Sequence, residues 1–280
     1  MLCQAELSDA IRCACRFDVL AMKPGNVSIH APGHGMTAAD FLASAAVIAP
    51  LLAQPRRHLG DAILAAVTAS FDIARCNTNL GIVLLAAPIA RAAMLRRPGE
   101  GLRARLDVVL DELSLHDSSR VFAAIRYASP GGLGTAEDQD VAAEPTCALK
   151  EVMALAAERD RIAYQYANGF EDIFDFGVPL LRTYRARTDS ITWAVVGLYL
   201  ALLARYPDTH VIRQHGTKEA EVLRRSAQTL ECAFKACENP TALTADLNKF
   251  DRELKRRKVN PGTSADLTVA SVLALLLLHT

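Results

Sequence analysis

Aromatic side chains make up only 6% of this 280-residue sequence, and one of them is the single tryptophan. Neither charge is in excess: 31 lysines and arginines face 31 aspartates and glutamates. A formal charge of zero supplies no sequence-wide cationic field for a nucleic-acid backbone. The seven cysteines are scattered and no pair of CxxC units exists, so a structural zinc site is not expected. An odd thiol count and the lack of a signal-peptide pattern point to a reducing cytosol. No apolar run approaches the roughly 20 residues needed to cross a bilayer. The most apolar run is Leu267 to Leu278, and Pro88 interrupts the one that begins at Leu80. Strand-like alternation, a repeat period and low-complexity linkers are also missing.

What remains is a chain that is 51% apolar. Ala, Leu, Val and Ile supply most of it, and Ala and Leu lose little on ordering in a helix. The expectation is an all-α fold, one domain over residues 1–280 with ten or more packed helices. Leu7, Ile11, Cys15 and Val19 recur near every fourth position and mark the inner face of a helix from Leu2 to Ala21. Similar patterns predict helices over Thr37–Leu52, Gly60–Ala74, Leu80–Met94, Leu102–Leu113 and Ser118–Ala128. One long helix is expected from Thr146 to Ala167, opened by Pro145, and a short one over Phe170–Phe174. Ile191–Arg205, Glu219–Ala236 and Ala242–Arg257 follow, and the last helix starts near Thr263. Thr263 and Asp266 there have the spacing of a capping box.

Chemistry concentrates in the breaks between these patterns. Lys23-Pro24-Gly25-Asn26-Val27-Ser28 sets a cation beside a rigid turn with free N–H groups and two small polar side chains. It suits a phosphate or ribose, or a plain capping loop. His30 and His34 follow as bases, ligands or structural groups. Asn77-Thr78-Asn79 precedes an apolar helix, either to cap it or to hold a nucleotide, and Asp72 lies one turn upstream. The Gly131, Gly132, Gly134 cluster has neither the spacing of a P-loop nor the strand before it that a dinucleotide fold requires. The run Glu137, Asp138, Asp140, Glu144 after it is a solvated turn or a place for Mg²⁺, which favours carboxylates and substrate phosphates. Arg159 belongs to a charged stripe on the helix that follows. Asp208 and Arg213 stand in a further polar break, as a metal ligand and a phosphate clamp or as an inter-helix loop. Asn260 to Asp266 carries Ser264 and puts a carboxylate into an otherwise apolar helix, where it needs a partner.

Taken in order, the segments KPGNVS, NTNLG, the glycine-rich acidic loop, NGF, DTHVIR and NPGTSADL resemble those of the triphosphoribosyl-dephospho-CoA synthases, from Lys23 to about Leu276. The resemblance implies an all-helical enzyme that uses ATP with a divalent metal such as Mg²⁺. The acceptor, dephospho-CoA or a related coenzyme precursor, would attack C1 of the ATP ribose and release adenine. Asp266, Asp140 and Asp208 are then the catalytic candidates, and Glu137, Asp138 and Asp140 the metal ligands. Lys23, Asn26, Ser28, His34, Asn77, Thr78 and Asn79 would bind the nucleotide, together with Gly132, Arg159, Arg213 and Ser264. Departures mark a divergent member: Ser28 stands where an acid is usual, Leu80 where a lysine is usual, and Asp40 is the acid nearest the segment after His34. Other readings are nucleotide hydrolysis or phosphoryl transfer in another coenzyme pathway, such as pterin coenzymes, and a non-catalytic helical adaptor. A homodimer is compatible with the sequence. Neither nucleic acid nor membrane is expected as a partner, and a cytoplasmic location is.

Overall fold

The computed structural model describes residues 2–55, 57–136 and 138–278. Fourteen α-helices and no strands occur among them, with two isolated bridges, Ser28 to Ala31 and Gly33 to Met36, in the first long loop. The first helices are α1 (Gln4–Leu20), α2 (Ala38–Leu52), α3 (Leu59–Ala74), α4 (Leu80–Met94), α5 (Leu102–Asp111) and α6 (Leu115–Ala128). Then come α7 (Leu149–Ala156), α8 (Arg161–Ala167), α9 (Val178–Thr188) and α10 (Ile191–Arg205). The series ends with α11 (Thr209–His215), α12 (Thr217–Ala236), α13 (Thr244–Arg256) and α14 (Gly262–Leu277). No helix of the described residues is long and apolar enough to cross a membrane.

Three of these helices, α4, α10 and α14, are apolar around nearly their whole circumference and form the centre. A helix without a polar face must be surrounded by others. Accordingly, α14 packs on α1, α4, α9, α10 and α11. The outer helices α12 and α13 are one-sided, burying Leu223, Ala227 and Phe234 on the first and Leu247, Phe250 and Leu254 on the second.

Helix starts are set by side chains that satisfy the free N–H groups of a first turn. Thr37 with Asp40, and Ser114 with Asp117, form reciprocal capping boxes on α2 and α6. The same chemistry divides the expected Thr146–Ala167 helix. Asp160 accepts hydrogen bonds from Ile162 N (2.8 Å) and Ala163 N (3.1 Å), so α8 begins afresh there instead of continuing α7. Asp208 likewise caps α11 through Val211 N (3.1 Å), which makes a helix of a segment read as a break. The short Phe170–Phe174 helix is instead a π-helical turn, Asp172–Gly177, that runs straight into α9. A Cβ on Gly177 would lie 2.2 Å from Ser271 Oγ, so this turn rides directly on α14. The Thr263–Asp266 capping box does not form. Pro261 precedes α14, and Thr263 Oγ1 bonds Thr209 Oγ1 (3.0 Å) and accepts from His210 N (3.1 Å).

Asp117 ties two helices together, because it also accepts from Gly60 N at the start of α3 (2.7 Å). A Cβ on Gly60 would meet Asp117 Cα at 2.7 Å, so α3 and α6 touch at the backbone. Replacing Asp117 with Ala removes the reciprocal half of the α6 capping box and leaves the buried Gly60 N–H unpaired. The expected loss is about 1–3 kcal/mol of unfolding free energy, measurable by urea titration.

Candidate active site

A cleft of about 330 Å³ opens where the first turns of α4, α11 and α14 meet α6, α7 and the 130–141 loop. That is the size of a small-molecule site. Helices α6 and α7 give it apolar side chains: Val121, Phe122, Ile125, Val152 and Met153. Its polar groups come from Asp18 on α1, from the loops, and from the helix starts.

The sequence brings two proline–glycine loops together at one edge. Asn26 Nδ2 donates to Asn260 Oδ1 (3.0 Å), and Gly25 N donates to Asp251 Oδ1 (2.9 Å). Gly25 has φ of +81°, and a Cβ there would strike Pro261 Cδ at 2.8 Å. Only glycine combines this backbone conformation with so close an approach. Behind this clasp, Lys23 Nζ lies 3.1 Å from Asp18 Oδ1 and donates to Asn26 Oδ1 (2.9 Å). Tyr199 lies beneath Lys23, its ring centre 5.9 Å from Nζ, and its hydroxyl donates to Pro24 O (2.7 Å).

Asp18 is 2% exposed and faces the cleft. Burial raises its proton affinity, and the Lys23 charge opposes that rise. Asp266, one turn into α14, is the second carboxylate. It presses against α4 so closely that a Cβ on Gly81 would fall 2.0 Å from its Oδ2. No described residue donates a hydrogen bond to the Asp266 carboxyl or pairs with it as an ion. Enclosure by the protein pushes its pKa well above the usual carboxylate range. Asp18 and Asp208 add to the rise, and Arg213 opposes it.

Cations stand nearby. Arg213 lines the cleft and donates from Nη1 to Asp160 Oδ2 (2.5 Å). Arg159 is an exposed lining residue whose side chain makes no hydrogen bond or ion pair to a described residue. Asn26, Asn77, Thr78, Asp138 and Asp140 also line the cleft. Thr78 Oγ1 is held between Ser44 Oγ (2.8 Å) and Ser70 Oγ (3.1 Å). Asp140 is ionised below its ordinary range because Ala136 N (2.6 Å) and Ala142 N (2.8 Å) donate to it.

Several expected site residues lie elsewhere. Lys23 does not line the cleft: its side chain has no exposure and holds Asp18 and Asn26. Asp208 is 2% exposed, and its Oδ2 accepts from Ser264 N and Ser264 Oγ, both at 2.8 Å. With Oδ1 capping α11, Asp208 and Ser264 join α11 to α14 rather than line the cleft. Ser28 Oγ accepts from His30 N (3.3 Å), and His34 Nε2 bonds Gly25 O (2.8 Å), both inside the first loop. Asn79 is buried away from the cleft. Gly132 seats its loop on α11, since a Cβ there would meet Arg213 O at 2.5 Å. Asp40 is engaged in the α2 cap, and Asp72 accepts from Tyr127 OH (2.8 Å). Glu137 lies outside the described residues.

Two lining residues escaped the sequence reading, Asp18 and His210. Asp18 had a signal: a carboxylate three positions after Cys15 falls on the buried stripe of α1. His210 had none beyond its neighbourhood, because only folding brings α11 against Gly262.

A family model described as ATP:dephospho-CoA triphosphoribosyl transferase (CitG) matches residues 4–280. The chain belongs to this family. A solved structure from Archaeoglobus fulgidus, provisionally described as a triphosphoribosyl-dephospho-CoA synthase, is similar to it, with 28% identity and a TM-score of 0.65. The match covers 84% of this chain and 97% of that one. A search of curated proteins found no match. Membership in the CitG family supports a transferase-like, nucleotide-binding enzyme of coenzyme biosynthesis.

The state of Asp266 has a pH signature. Its folded pKa is raised, so the native chain binds more protons than the unfolded one between the two values, and stability falls as pH rises through that window. Asp266→Asn removes this dependence. In metal-free buffer the variant should melt no lower than wild type, with a relative gain that grows from acid to neutral pH. A uniformly lower melting temperature would show that Asp266 is held by a bond it needs.

Proposed function

We propose that the protein transfers the triphosphoribosyl group of ATP to a hydroxyl of dephospho-CoA or a related coenzyme precursor, releasing adenine. The observation that carries this reading is the Asp18–Asp266 pair facing one cleft with Arg159 and Arg213. Breaking the bond from ribose C1 to adenine leaves positive charge on that carbon. The Asp266 carboxyl has no cation of its own among the described residues; positive charge developing beside it favours its ionised form, and the carboxylate then stabilises that charge. Asp18 is held in place by Lys23 and adds to the same field. Arg159 and Arg213 suit the triphosphate, which stays with the transferred ribose. The apolar surface from α6 and α7 suits the less polar parts of donor or acceptor.

Among the described residues, no three His, Cys, Asp or Glu side chains form a closed metal cage. Mg²⁺ does not need one, since one or two carboxylates and substrate phosphates suffice. Asp138 lines the cleft with no bond from a described residue, beside Asp140. These oxygens fit such an ion. Asp138 and Asp140 would hold it, and it would draw charge from the triphosphate.

The test is product analysis. With ATP, Mg²⁺ and dephospho-CoA, chromatography should show free adenine and a product heavier by the triphosphoribosyl group. ADP or AMP with adenosine intact would indicate attack at phosphorus and sink the proposal. ATP with Mg²⁺ at 100 times its Kd should stabilise the fold by about 2.7 kcal/mol, seen as a rise in melting temperature. Asp266→Asn should fold and lose about 10²–10³ in kcat.

A further inference from the structure

We propose that His210 is the base that takes the proton from the acceptor hydroxyl as that oxygen attacks the ribose. This rests on the transferase reading above. His210 lies in the first turn of α11 and lines the same cleft as Asp266 and Arg213. Its backbone is fixed, because His210 N donates to Thr263 Oγ1 (3.1 Å) and Asp208 caps the helix. Its ring packs on the start of α14, where a Cβ on Gly262 would fall 2.8 Å from Nδ1. Gly262 therefore makes the room that the imidazole occupies. Neither ring nitrogen has a hydrogen-bond partner among the described residues.

The neighbouring acids are poorly placed for this task. Asp208 is filled by Val211 and Ser264. Asp160 accepts from Arg213 and from two amides of α8. Asp18 is paired with Lys23, and Asp266 is the acid assigned to the charge at ribose C1. His34 spends Nε2 on Gly25 O. Charged and titratable groups act on His210 from every side. They are Asp208 and Arg213 on its own helix, His34 on the first long loop and Asp160 between α7 and α8. Asp266 on α14 lines the same cleft. Burial is the largest influence and lowers the imidazole pKa, Asp208 opposes it, and Arg213 and His34 reinforce it. The ring is thus neutral near pH 7, with a lone pair to offer.

The step balances. The acceptor oxygen forms a bond to C1, and the bond from C1 to adenine breaks with its electron pair leaving on the base. The hydroxyl proton passes to His210 and on to solvent. Adenine takes one proton from solvent, so one hydrogen is exchanged for the triphosphoribosyl group.

The experiment compares full-length wild type, His210→Gln and His210→Ala, following adenine release from ATP, Mg²⁺ and dephospho-CoA across pH. The Gln variant is expected to lose about 10²–10⁴ in kcat, while keeping the rise in melting temperature with ATP. The acid limb of the wild-type kcat profile should vanish with it, and added imidazole should restore part of the His210→Ala rate. A Gln variant within a few-fold of wild type, or one that keeps the acid limb, overturns the assignment alone. Wild type that releases no adenine overturns the transferase reading and this inference together.

Discussion

A lysine without solvent exposure must have a partner, and the pairing of Lys23 with Asp18 organises this site. Removing a charge from water is costly, and a buried pair persists only where geometry and further hydrogen bonds compensate. Here Asn26 and the Tyr199 ring complete the surroundings of the ammonium group. The pair fixes the end of α1 against α10, and the loop after Lys23 is thereby aimed at Asn260. Residues far apart in the chain then share one cleft edge. Lys23 acts through Asp18 and Asn26, which its position in the loop alone does not reveal.

The same economy governs the opposite side. Asp266 enters an apolar helix because α4 offers a glycine at the contact point. Without Gly81, that carboxylate has no room. Gly262 plays the corresponding part for His210. Two glycines therefore make space for two titratable groups whose proton affinities move in opposite directions. Asp208, bonded to both α11 and α14, keeps the two helix starts in register. Polar groups that look equivalent in the sequence thus divide into those that build the cleft and those that face it.

Helical class and most helix positions were legible because periodic burial of Ala, Leu, Val and Ile leaves a strong local pattern. The α4 and α10 bounds coincide with the apolar runs. Boundaries failed where a single carboxylate chose between continuing and restarting a helix. Asp160 and Asp208 did this at α8 and α11, and their choice depended on partners across the cleft, Arg213 and Ser264. Asn26, Asn77, Thr78, Arg159, Arg213 and Asp266 could be picked out as polar residues at helix ends. Asp18 stood on the apolar stripe of α1, but only the fold shows that this part of the stripe reaches the cleft.

By itself, then, the sequence determined that the chain is helical, where its apolar helices run and which polar segments interrupt them. It also carried the ordered motifs of the CitG family. Tertiary structure alone decided which polar side chains converge, which are consumed in tying helices together and which retain free lone pairs. The reason is physical: helix periodicity is local, whereas proton affinity and access to a cleft depend on what burial brings alongside. Asp208 and Asp266 are both acids near polar loops, yet one is saturated with hydrogen bonds and the other has none from a described residue.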